Sequence, residues 1–284
     1  MQIDLTPIQA VAQRVEVIGR AVLVQADCRD VLPVLRPLDL VVTSPPYDDM
    51  RTYGESFVGG DCLEVISHSA AALCDGGVMV WNVADATKDG SETGTSFRQA
   101  LHGMECGLNL HDTMIYLREN VNFPEDVRYF SGFEFMFVFS KGKLRTFNPI
   151  KDRRNKWAGT VMHGTDRHPD GSTKPISGKG KVIEPYGMRF NYWLMSNNGP
   201  DTGHPAPMPY QMAHDHILSW SNPGDLVADP YMGSGTTGIA AVATGRNFVG
   251  CEIEAKYFDI ACRHIEQASG KETCSSEAQH DRPP

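Results

Sequence analysis

The chain has 284 residues, 41% hydrophobic and 21% charged, with a formal net charge of −9. This is the composition of a globular protein with one large or two small domains, and it excludes a disordered, collagen-like or coiled-coil protein. No apolar run is long enough to span a bilayer, and no basic region precedes an apolar stretch at the N-terminus, so the sequence predicts a cytoplasmic protein without a signal peptide.

Strand-like and helix-like segments alternate through the first half of the chain. Short runs rich in Val and Leu predict strands, and apolar residues at helical spacing predict helices. The predicted strands are residues 21–26, 38–43, 78–83, 110–117 and 133–139. The predicted helices are residues 28–35, 61–73 and 96–106. Pro45-Pro46 ends the second strand, and Gly76-Gly77 predicts a turn.

The composition changes over residues 141–203, which are rich in Gly, Pro, Lys, Arg and Asn and show little periodicity. A structureless loop of that length is uncommon, so we predict a functional insertion. The polar residues 268–284 predict a disordered tail. Between them, regular patterns predict helices at 210–220, 236–244 and 255–267 and strands at 226–228 and 247–251.

Alternating strands and helices favour an α/β fold, a mostly parallel, doubly wound sheet with helices on both faces. Ligands of such sheets bind at the carboxyl ends of the strands. The two loops with the most distinctive sequences, residues 44–47 and 229–238, both follow predicted strands. We therefore expect both loops to line a ligand site.

The cysteines and histidines do not form a metal-binding pattern. The seven cysteines are an odd number without a C-x-x-C pair, and no H-E-x-x-H occurs. His214 and His216 lie two residues apart and would diverge on a helix. These spacings argue against a disulfide scaffold, and we expect no metal.

The segment from Asp229 to Gly238 reads DPYMGSGTTG and contains G-x-G-x-x-G, with Glu252 at the end of the next strand. Alone, this pattern fits a dinucleotide site with Glu252 on a ribose, or a tight turn without a ligand. Asp229 beside the glycines would repel a pyrophosphate and attract an ammonium group. S-adenosylmethionine carries an ammonium group and a ribose but no phosphate, and glycines would let the backbone approach it closely. We therefore favour it as the cofactor.

The predicted strand at 38–43 is followed by Ser44, Pro45, Pro46 and Tyr47. The prolines fix φ and remove backbone donors, so the carbonyls of Ser44 and Pro45 become rigid acceptors beside the Ser44 hydroxyl. Tyr47 offers a flat face for stacking. These groups suit an exocyclic amine on a planar ring, because acceptors on its N–H groups favour a tetrahedral, more nucleophilic nitrogen. The alternative is a proline-terminated strand with a packed tyrosine.

The two motifs together, TSPPY and later DPxxGSGTTG, resemble those of the amino-methylating DNA methyltransferases. Their order resembles the permuted β group, in which the catalytic tetrad precedes the cofactor loop, and argues against the release-factor glutamine methyltransferases. TSPPY preceded by the aliphatic Val42 is similar to the cytosine-N4 branch, since the adenine-N6 branch more often has Asp in place of Ser44. The resemblance covers residues 20–140 and 204–267.

The resemblance implies a Rossmann-like, S-adenosylmethionine-dependent methyltransferase fold in circularly permuted order. Residues 1–140 would form its catalytic half and residues 204–267 its cofactor-binding half. The catalytic residues implied are Ser44, Pro45, Pro46 and Tyr47. The cofactor-binding residues implied are Asp27, Cys28, Thr43, His204, Pro205, Asp229, Pro230, Gly233, Ser234, Gly235, Thr236, Thr237 and Glu252.

Three further segments resemble the family. Asp27 matches the acidic position that contacts the cofactor's adenine, and residues 204–209 match an H-P-A-x-x-P element whose backbone helps to hold the methionine end. Residues 76–85 match the glycine-led strand after the tetrad. Residues 133–141 resemble a later strand that often begins His-Glu where this chain has Phe133-Glu134, so no role is carried over to Phe133.

Charge is concentrated in one segment of the chain. From Lys141 to Arg189 there are twelve Lys/Arg and four Asp/Glu, although the whole chain is acidic. This segment lies where the β group places its target-recognition region, and basic residues position a protein on DNA phosphates. The alternative is a solvated basic loop. The residues predicted to contact DNA are Arg51, Lys151, Arg153, Arg154, Lys156, Lys174, Lys179 and Lys181.

The sequence therefore predicts a DNA methyltransferase that transfers a methyl group from S-adenosylmethionine to cytosine N4 in double-stranded DNA, with the target base flipped out. Adenine N6 is the alternative target. A non-catalytic DNA- or cofactor-binding protein, a nicotinamide enzyme and an RNA substrate stay open. No Pro-Cys dipeptide occurs, which excludes the cysteine nucleophile of carbon-5 methylation. The resemblance leaves open a cognate restriction endonuclease and a homodimer.

Overall fold

The structure, a computed structural model, describes residues 3–35, 37–46, 61–119, 127–196 and 208–277. Seven α-helices lie in these ranges: α1 (Thr6–Gln9), α2 (Cys28–Val31), α3 (Asp61–Ala72), α4 (Thr95–Glu105), α5 (Tyr210–Trp220), α6 (Thr236–Ala243) and α7 (Ala255–Glu277). The same ranges hold fifteen strands: β1 (Arg14–Ile18), β2 (Ala21–Gln25), β3 (Leu38–Thr43), β4 (Leu73–Val83), β5 (Thr87–Lys88), β6 (Ser91–Glu92), β7 (Asn109–Arg118), β8 (Phe133–Ser140), β9 (Arg153–Arg154), β10 (Thr165–Arg167), β11 (Thr173–Pro175), β12 (Tyr186–Gly187), β13 (Tyr192–Met195), β14 (Leu226–Asp229) and β15 (Asn247–Glu252).

Nine of the described strands form one sheet in the order β1-β2-β15-β14-β3-β4-β8-β7-β13. The five strands from β2 to β4 in this order run parallel, since each pairs in parallel with its neighbour. β8 and β7 follow in antiparallel pairing, and β1 and β13 form the two edges. The predicted α/β class with a mostly parallel sheet is confirmed.

Helices cover both faces of the sheet. Side chains alternate between the two faces along each strand, so each strand contributes to two cores. On one face, Val22, Val24 and Val41 share a core with residues of α3 and α4. On the other face, Leu23 and Val42 share a core with residues of α5, α6 and α7. The sheet is therefore doubly wound, as predicted.

The parallel strands bring distant parts of the chain together at the end of the sheet where these strands have their carboxyl ends. β3 and β14 pair directly, Leu40 with Val227 and Val41 with Ala228. The segment that begins at Ser44 and the glycine loop therefore leave the sheet side by side. β15 and β2 run parallel to β14, so their carboxyl ends lie on the same side of the sheet as the glycine loop.

The predicted turn at Gly76-Gly77 is wrong, because β4 runs through both glycines from Leu73 to Val83. Gly76 has a φ of +78°, and its N–H donates to Lys141 O at 2.7 Å. A positive φ inside a strand is accessible to glycine at little cost. The glycine pair therefore forms an irregularity within the strand.

The elements that the sequence did not predict include the edge strands β1 and β13 and the C-terminal part of α7. β1 reads RVEVI, and this short alternation of polar and apolar residues is the pattern of a half-exposed strand. The tail predicted at residues 268–284 is wrong in part, because α7 continues to Glu277, and extending a helix needs no new nucleus. Residues 278–284 lie outside the described residues. None of the described helices is long and apolar enough to cross a membrane.

The chain divides into two compact units, Pro149–Phe190 and the rest. The insertion predicted at residues 141–203 is too long at both ends, since β13 pairs with β7 in the main sheet. The small unit contains two short antiparallel pairs, β9 with β12 and β10 with β11. None of its residues is fully buried, so it has no core of its own.

Replacing Gly238 in α6 with alanine is expected to lower the free energy of unfolding by about 1–3 kcal/mol. A Cβ there would lie 2.5 Å from Ile265 Cδ1 and 2.7 Å from Phe248 Cε1, so core atoms would have to shift. Urea denaturation measures the change. Gly270→Ala in α7 is the matched control, because nothing lies within 4 Å of its Cβ position. Equal stabilities of the two variants would contradict the close approach of α6 to its neighbours.

Candidate active site

A short hydrogen bond joins the end of β3 to the glycine loop. Thr43 Oγ1 donates to Asp229 Oδ1 at 2.6 Å, and both side chains are buried. Tyr231 N donates to the same oxygen at 3.0 Å, and Thr237 Oγ1 donates to Oδ2 at 2.6 Å. The Asp229 carboxylate thus ties β3 to the start of α6.

Burial raises the pKa of Asp229 to about 6, and its three hydrogen bonds offset part of that increase. The hydroxyls of Thr43 and Thr237, both predicted to bind cofactor, are directed to Asp229. An ionised carboxylate offers about four acceptor sites, so three donors do not exhaust it. The contact of Asp229 with an ammonium group stays a prediction.

Glu252, at the end of β15, bonds both to the glycine loop and to the segment that follows β15. Its Oε2 accepts from Gly233 N and its Oε1 from Glu254 N, each at 2.9 Å. Burial raises the pKa of Glu252 to about 7, while these two backbone donors lower it. Each oxygen has a second lone pair, so the carboxylate suits the paired hydroxyls of a ribose.

Two glycines of the loop serve the protein's own packing. A Cβ on Gly235 would lie 3.1 Å from Ala261 Cβ, and Gly235 has a φ of +88° just before α6. A Cβ on Gly238 would likewise lie too close to the side chains of Ile265 and Phe248. Side chains of α7 and β15 therefore fill the space beside these two glycines, and the role of Gly235 in cofactor binding stays a prediction. Gly233 has a φ of +55°, and its N–H is the loop's donor to Glu252.

The other predicted residues of the loop are mostly enclosed. Pro230 and Ser234 are buried, and Thr236, the first residue of α6, is half-buried. The His264 imidazole donates through Nδ1 to Ser234 O at 3.0 Å. These contacts hold the loop against α7, which fixes the position of the Gly233 amide.

Asp27 and Cys28 follow β2, the neighbour of β15. Asp27 caps α2 by accepting from Arg29 N at 2.9 Å, and its carboxylate pairs with the Arg29 guanidinium through both oxygens. This pairing lowers the pKa of Asp27. Cys28 and Cys251 are buried, which raises the pKa of both thiols and keeps them neutral. No group of three or more His, Cys, Asp or Glu in the described part of the chain is placed to hold a metal ion.

The tetrad begins at the carboxyl end of β3. Ser44 is half-buried, and its Oγ accepts from Asn82 Nδ2 at 3.4 Å. Pro45 is buried and Pro46 is half-buried. Four predicted site residues lie outside the described residues: Tyr47, Arg51, His204 and Pro205.

The fold adds two polar residues that sequence reasoning did not select. Asn82 in β4 contacts Ser44, and its Nδ2 also donates to Oε2 of Glu134 in β8 at 2.9 Å. Each is a polar residue in an otherwise apolar strand, VMVWNV and FEFMFVF. That interruption was the available signal, but it does not reveal that β4 and β8 are neighbours.

Most residues predicted to contact DNA lie exposed in the unit Pro149–Phe190. Arg153 is the exception, because it is half-buried, donates to Met188 O at 3.0 Å and stacks on Phe190 at 4.7 Å. Trp157 is 63% exposed, with Lys156 Nζ 5.2 Å from its ring centre. The exposed predicted residues are Lys151, Arg154, Lys156, Lys174, Lys179 and Lys181.

The geometry defines a class of enzyme. Asp27, Asp229 and Glu252 lie at the carboxyl ends of adjacent parallel strands, and the Ser-Pro-Pro segment lies beside them. Carboxylates at such strand ends fit a ligand with an ammonium group and ribose hydroxyls but no phosphate. These are features of Rossmann-like, S-adenosylmethionine-dependent methyltransferases in which the catalytic strand precedes the cofactor loop.

Residues 38–263 match the N6/N4 DNA methylase family, and the chain belongs to that family. It is a DNA methyltransferase with S-adenosylmethionine as methyl donor. The matched range contains both the tetrad and the glycine loop. The family resemblance of the sequence is thereby confirmed, and the base that is methylated is a separate question.

Known proteins support the same family and fold. The chain is 47% identical over 234 residues to the orphan methyltransferase M.BamHII of Bacillus amyloliquefaciens, covering 79% of this chain and 87% of that protein. The M1.HpyAVI–SAM complex has a TM-score of 0.59 at 23% identity, covering 86% of this chain and 98% of that one. The cytosine-N4-specific PvuII DNA methyltransferase has a TM-score of 0.63 at 17% identity, covering 89% and 93%. These structures share the Rossmann-like fold predicted for this chain.

Proposed function

We propose that the protein methylates the exocyclic N4 of cytosine within a short sequence of duplex DNA. The observation that carries the proposal is Ser44 at the end of β3, beside Thr43, which is bonded to Asp229 of the glycine loop. A serine in the tetrad is similar to the cytosine-N4 branch. The same hydrogen bond would fix the position of the cofactor loop relative to the strand end that carries the amine acceptor.

The chain's own groups would prepare the target amine. Its lone pair is delocalised into the ring, which makes the nitrogen a weak nucleophile. Ser44 Oγ and the Pro45 carbonyl are acceptors, and Pro45 and Pro46 restrict the backbone that carries them. Hydrogen bonds from both amine N–H groups to these acceptors favour a tetrahedral nitrogen with a localised lone pair. Bound S-adenosylmethionine supplies an electrophilic methyl group on its sulfonium.

We assign the cofactor to the strand ends that carry carboxylates. Glu252 would accept the ribose hydroxyls, because each of its oxygens has one backbone donor and one further acceptor site. Asp229 would face the ammonium group, and Asp27 would lie near the adenine. Residues 204–205 would hold the methionine end through their backbone.

We assign DNA contact to the small unit. The target amine lies inside the base stack, so the cytosine must be flipped out to reach Ser44, and Tyr47 would stack on it. Pro149–Phe190 carries nine Lys/Arg and four Asp/Glu. Exposed basic side chains of this kind bind phosphates and set the register of a protein on the duplex.

Mass spectrometry of nucleosides tests the target base. Unmethylated genomic DNA is incubated with the protein and methyl-labelled S-adenosylmethionine, and labelled N4-methylcytosine is the expected product. Labelled N6-methyladenine would overturn the base assignment and leave the family unchanged. Label in neither base would overturn the proposed reaction. A parallel reaction with the Ser44→Ala protein controls for contaminating methyltransferases.

A further inference from the structure

A chain of polar contacts runs behind Ser44 across four neighbouring strands. Asn82 Nδ2 lies 3.4 Å from Ser44 Oγ and 2.9 Å from Glu134 Oε2. Arg118 Nη1 lies 3.9 Å from Glu134 Oε1. The contacts therefore connect the end of β3, through β4 and β8, to β7.

The burial of this chain decreases away from the serine. Asn82 is 3% exposed, whereas the side chains of Glu134 and Arg118 are 12% and 24% exposed. Asn82 lies one residue past Trp81, the register partner of Thr43, so β3–β4 pairing places it beside Ser44. Burying an amide costs the desolvation of its polar atoms, and the hydrogen bond from Asn82 Nδ2 to Glu134 offsets part of that cost.

The carboxylate determines which end of the amide faces the serine. An ionised carboxylate only accepts hydrogen bonds, so Glu134 selects the NH₂ group of Asn82 over its oxygen. The second hydrogen of that NH₂ group is then available to Ser44 Oγ. The contact at 3.4 Å is long, as is common for catalytic hydrogen bonds before substrate binds.

We infer that Asn82 is a positioning residue for Ser44 and that Glu134 orients Asn82. A donor from Asn82 selects one rotamer of the serine and occupies one lone pair of its oxygen. The serine oxygen is then held in the orientation in which it would meet the target amine. The inference deepens the proposed function, because it rests on Ser44 as the acceptor of that amine.

A double-mutant cycle tests whether Asn82 acts through Ser44. Asn82→Ala is expected to lower kcat about tenfold, with KM for DNA and Kd for S-adenosylmethionine within about twofold of wild type. In the Ser44→Ala background, the same change should lower the residual single-turnover rate no further, because the group it positions is gone. If the rate of the double variant were reduced by the product of the two single-variant reductions, the inference would be overturned.

A matched control separates positioning from stability. Gln99 is also a buried amide, and its Oε1 accepts from Trp81 Nε1 at 2.8 Å, next to Asn82 but on the opposite face of β4. Gln99→Ala is expected to lower Tm. Any reduction of kcat that it causes should be independent of Ser44, so the reductions of the two single variants should multiply in the double variant. If Asn82→Ala behaves in the same way, Asn82 is only structural.

Variants of Glu134 test the orienting step without altering the buried amide, and they cover the case in which Asn82→Ala fails to fold. Glu134→Ala is expected to lower kcat about as much as Asn82→Ala, and Glu134→Gln should recover most of that loss because it keeps an acceptor oxygen. A Glu134→Gln protein as slow as Glu134→Ala would overturn the orienting role. Wild-type turnover of Ser44→Ala would instead overturn the proposed role of the serine.

Discussion

Ser44→Ala is expected to lower kcat for DNA methylation by about 10²- to 10³-fold. Under the proposed function, the variant loses one of the two acceptors for the target amine, whereas the backbone acceptor at Pro45 stays in place. Kd for S-adenosylmethionine should change less than about twofold. The reason is that the cofactor loop is joined to β3 through Thr43 and Asp229, not through the serine hydroxyl. Single-turnover methylation and calorimetric titration measure the two constants.

A second buried serine provides the matched control. Ser140, at the far end of β8, is 2% exposed and donates to Gly142 O at 3.0 Å. Ser140→Ala removes a hydroxyl of the same kind away from the strand ends that carry the site, so kcat should be retained. Equal turnover of the Ser44 and Ser140 variants would refute the assignment of Ser44 as the amine acceptor.

The affinity for S-adenosylmethionine is expected to rise about tenfold between about pH 5.5 and about pH 8. Glu252 has a pKa of about 7 and Asp229 a pKa of about 6, so both carboxyls lose their protons in this window. Protonation turns one acceptor oxygen of Glu252 into a donor, while both oxygens already face backbone N–H groups. The ionised form is therefore the better ligand for ribose hydroxyls.

Glu252→Gln is expected to weaken cofactor binding at pH 8 by about tenfold or more and to flatten most of its pH dependence. Glu266→Gln, on the exposed side of α7, is the matched control and should retain the wild-type profile. Titration calorimetry at each pH gives both curves. An unchanged profile in Glu252→Gln would show that another group controls the cofactor site.

The same titration should destabilise the cofactor-free protein as pH rises. The folded-state pKa values of about 7 and about 6 lie above the ordinary values of 4.5 and 3.8 for Glu252 and Asp229. The folded protein then binds more protons than the unfolded chain, so the free energy of unfolding falls between about pH 4 and about pH 7. Urea denaturation without cofactor measures this fall, which should be smaller in Glu252→Gln.

Local patterns in the sequence predicted the central part of the fold. β3 and α5 have the predicted bounds, because an apolar run ended by two prolines and a helical apolar repeat are strong local signals. The glycine pair in β4 misled the prediction, since glycine marks irregularities within strands as well as turns. β1 and β13 lie at the sheet edges, where a strand needs few apolar residues and its sequence signal is weak.

The motifs assigned residues to the site, but they did not predict how these residues contact one another. Thr43 and Asp229 were both assigned to the cofactor, and their mutual hydrogen bond follows only from the pairing of β3 with β14. Asn82 and Glu134 lie 52 residues apart and meet because β8 returns antiparallel to β4. Such contacts depend on strand order, which periodicity does not encode.

The unit Pro149–Phe190 begins and ends at neighbouring points, since Arg189 N donates to Ile150 O at 2.9 Å. None of its residues is fully buried. Grafting a different segment between those two points would leave every buried side chain of the methylating sheet in place. Under the proposed assignment of DNA contact to this unit, such an exchange would change the DNA target and leave the residues of the proposed methylation site unchanged.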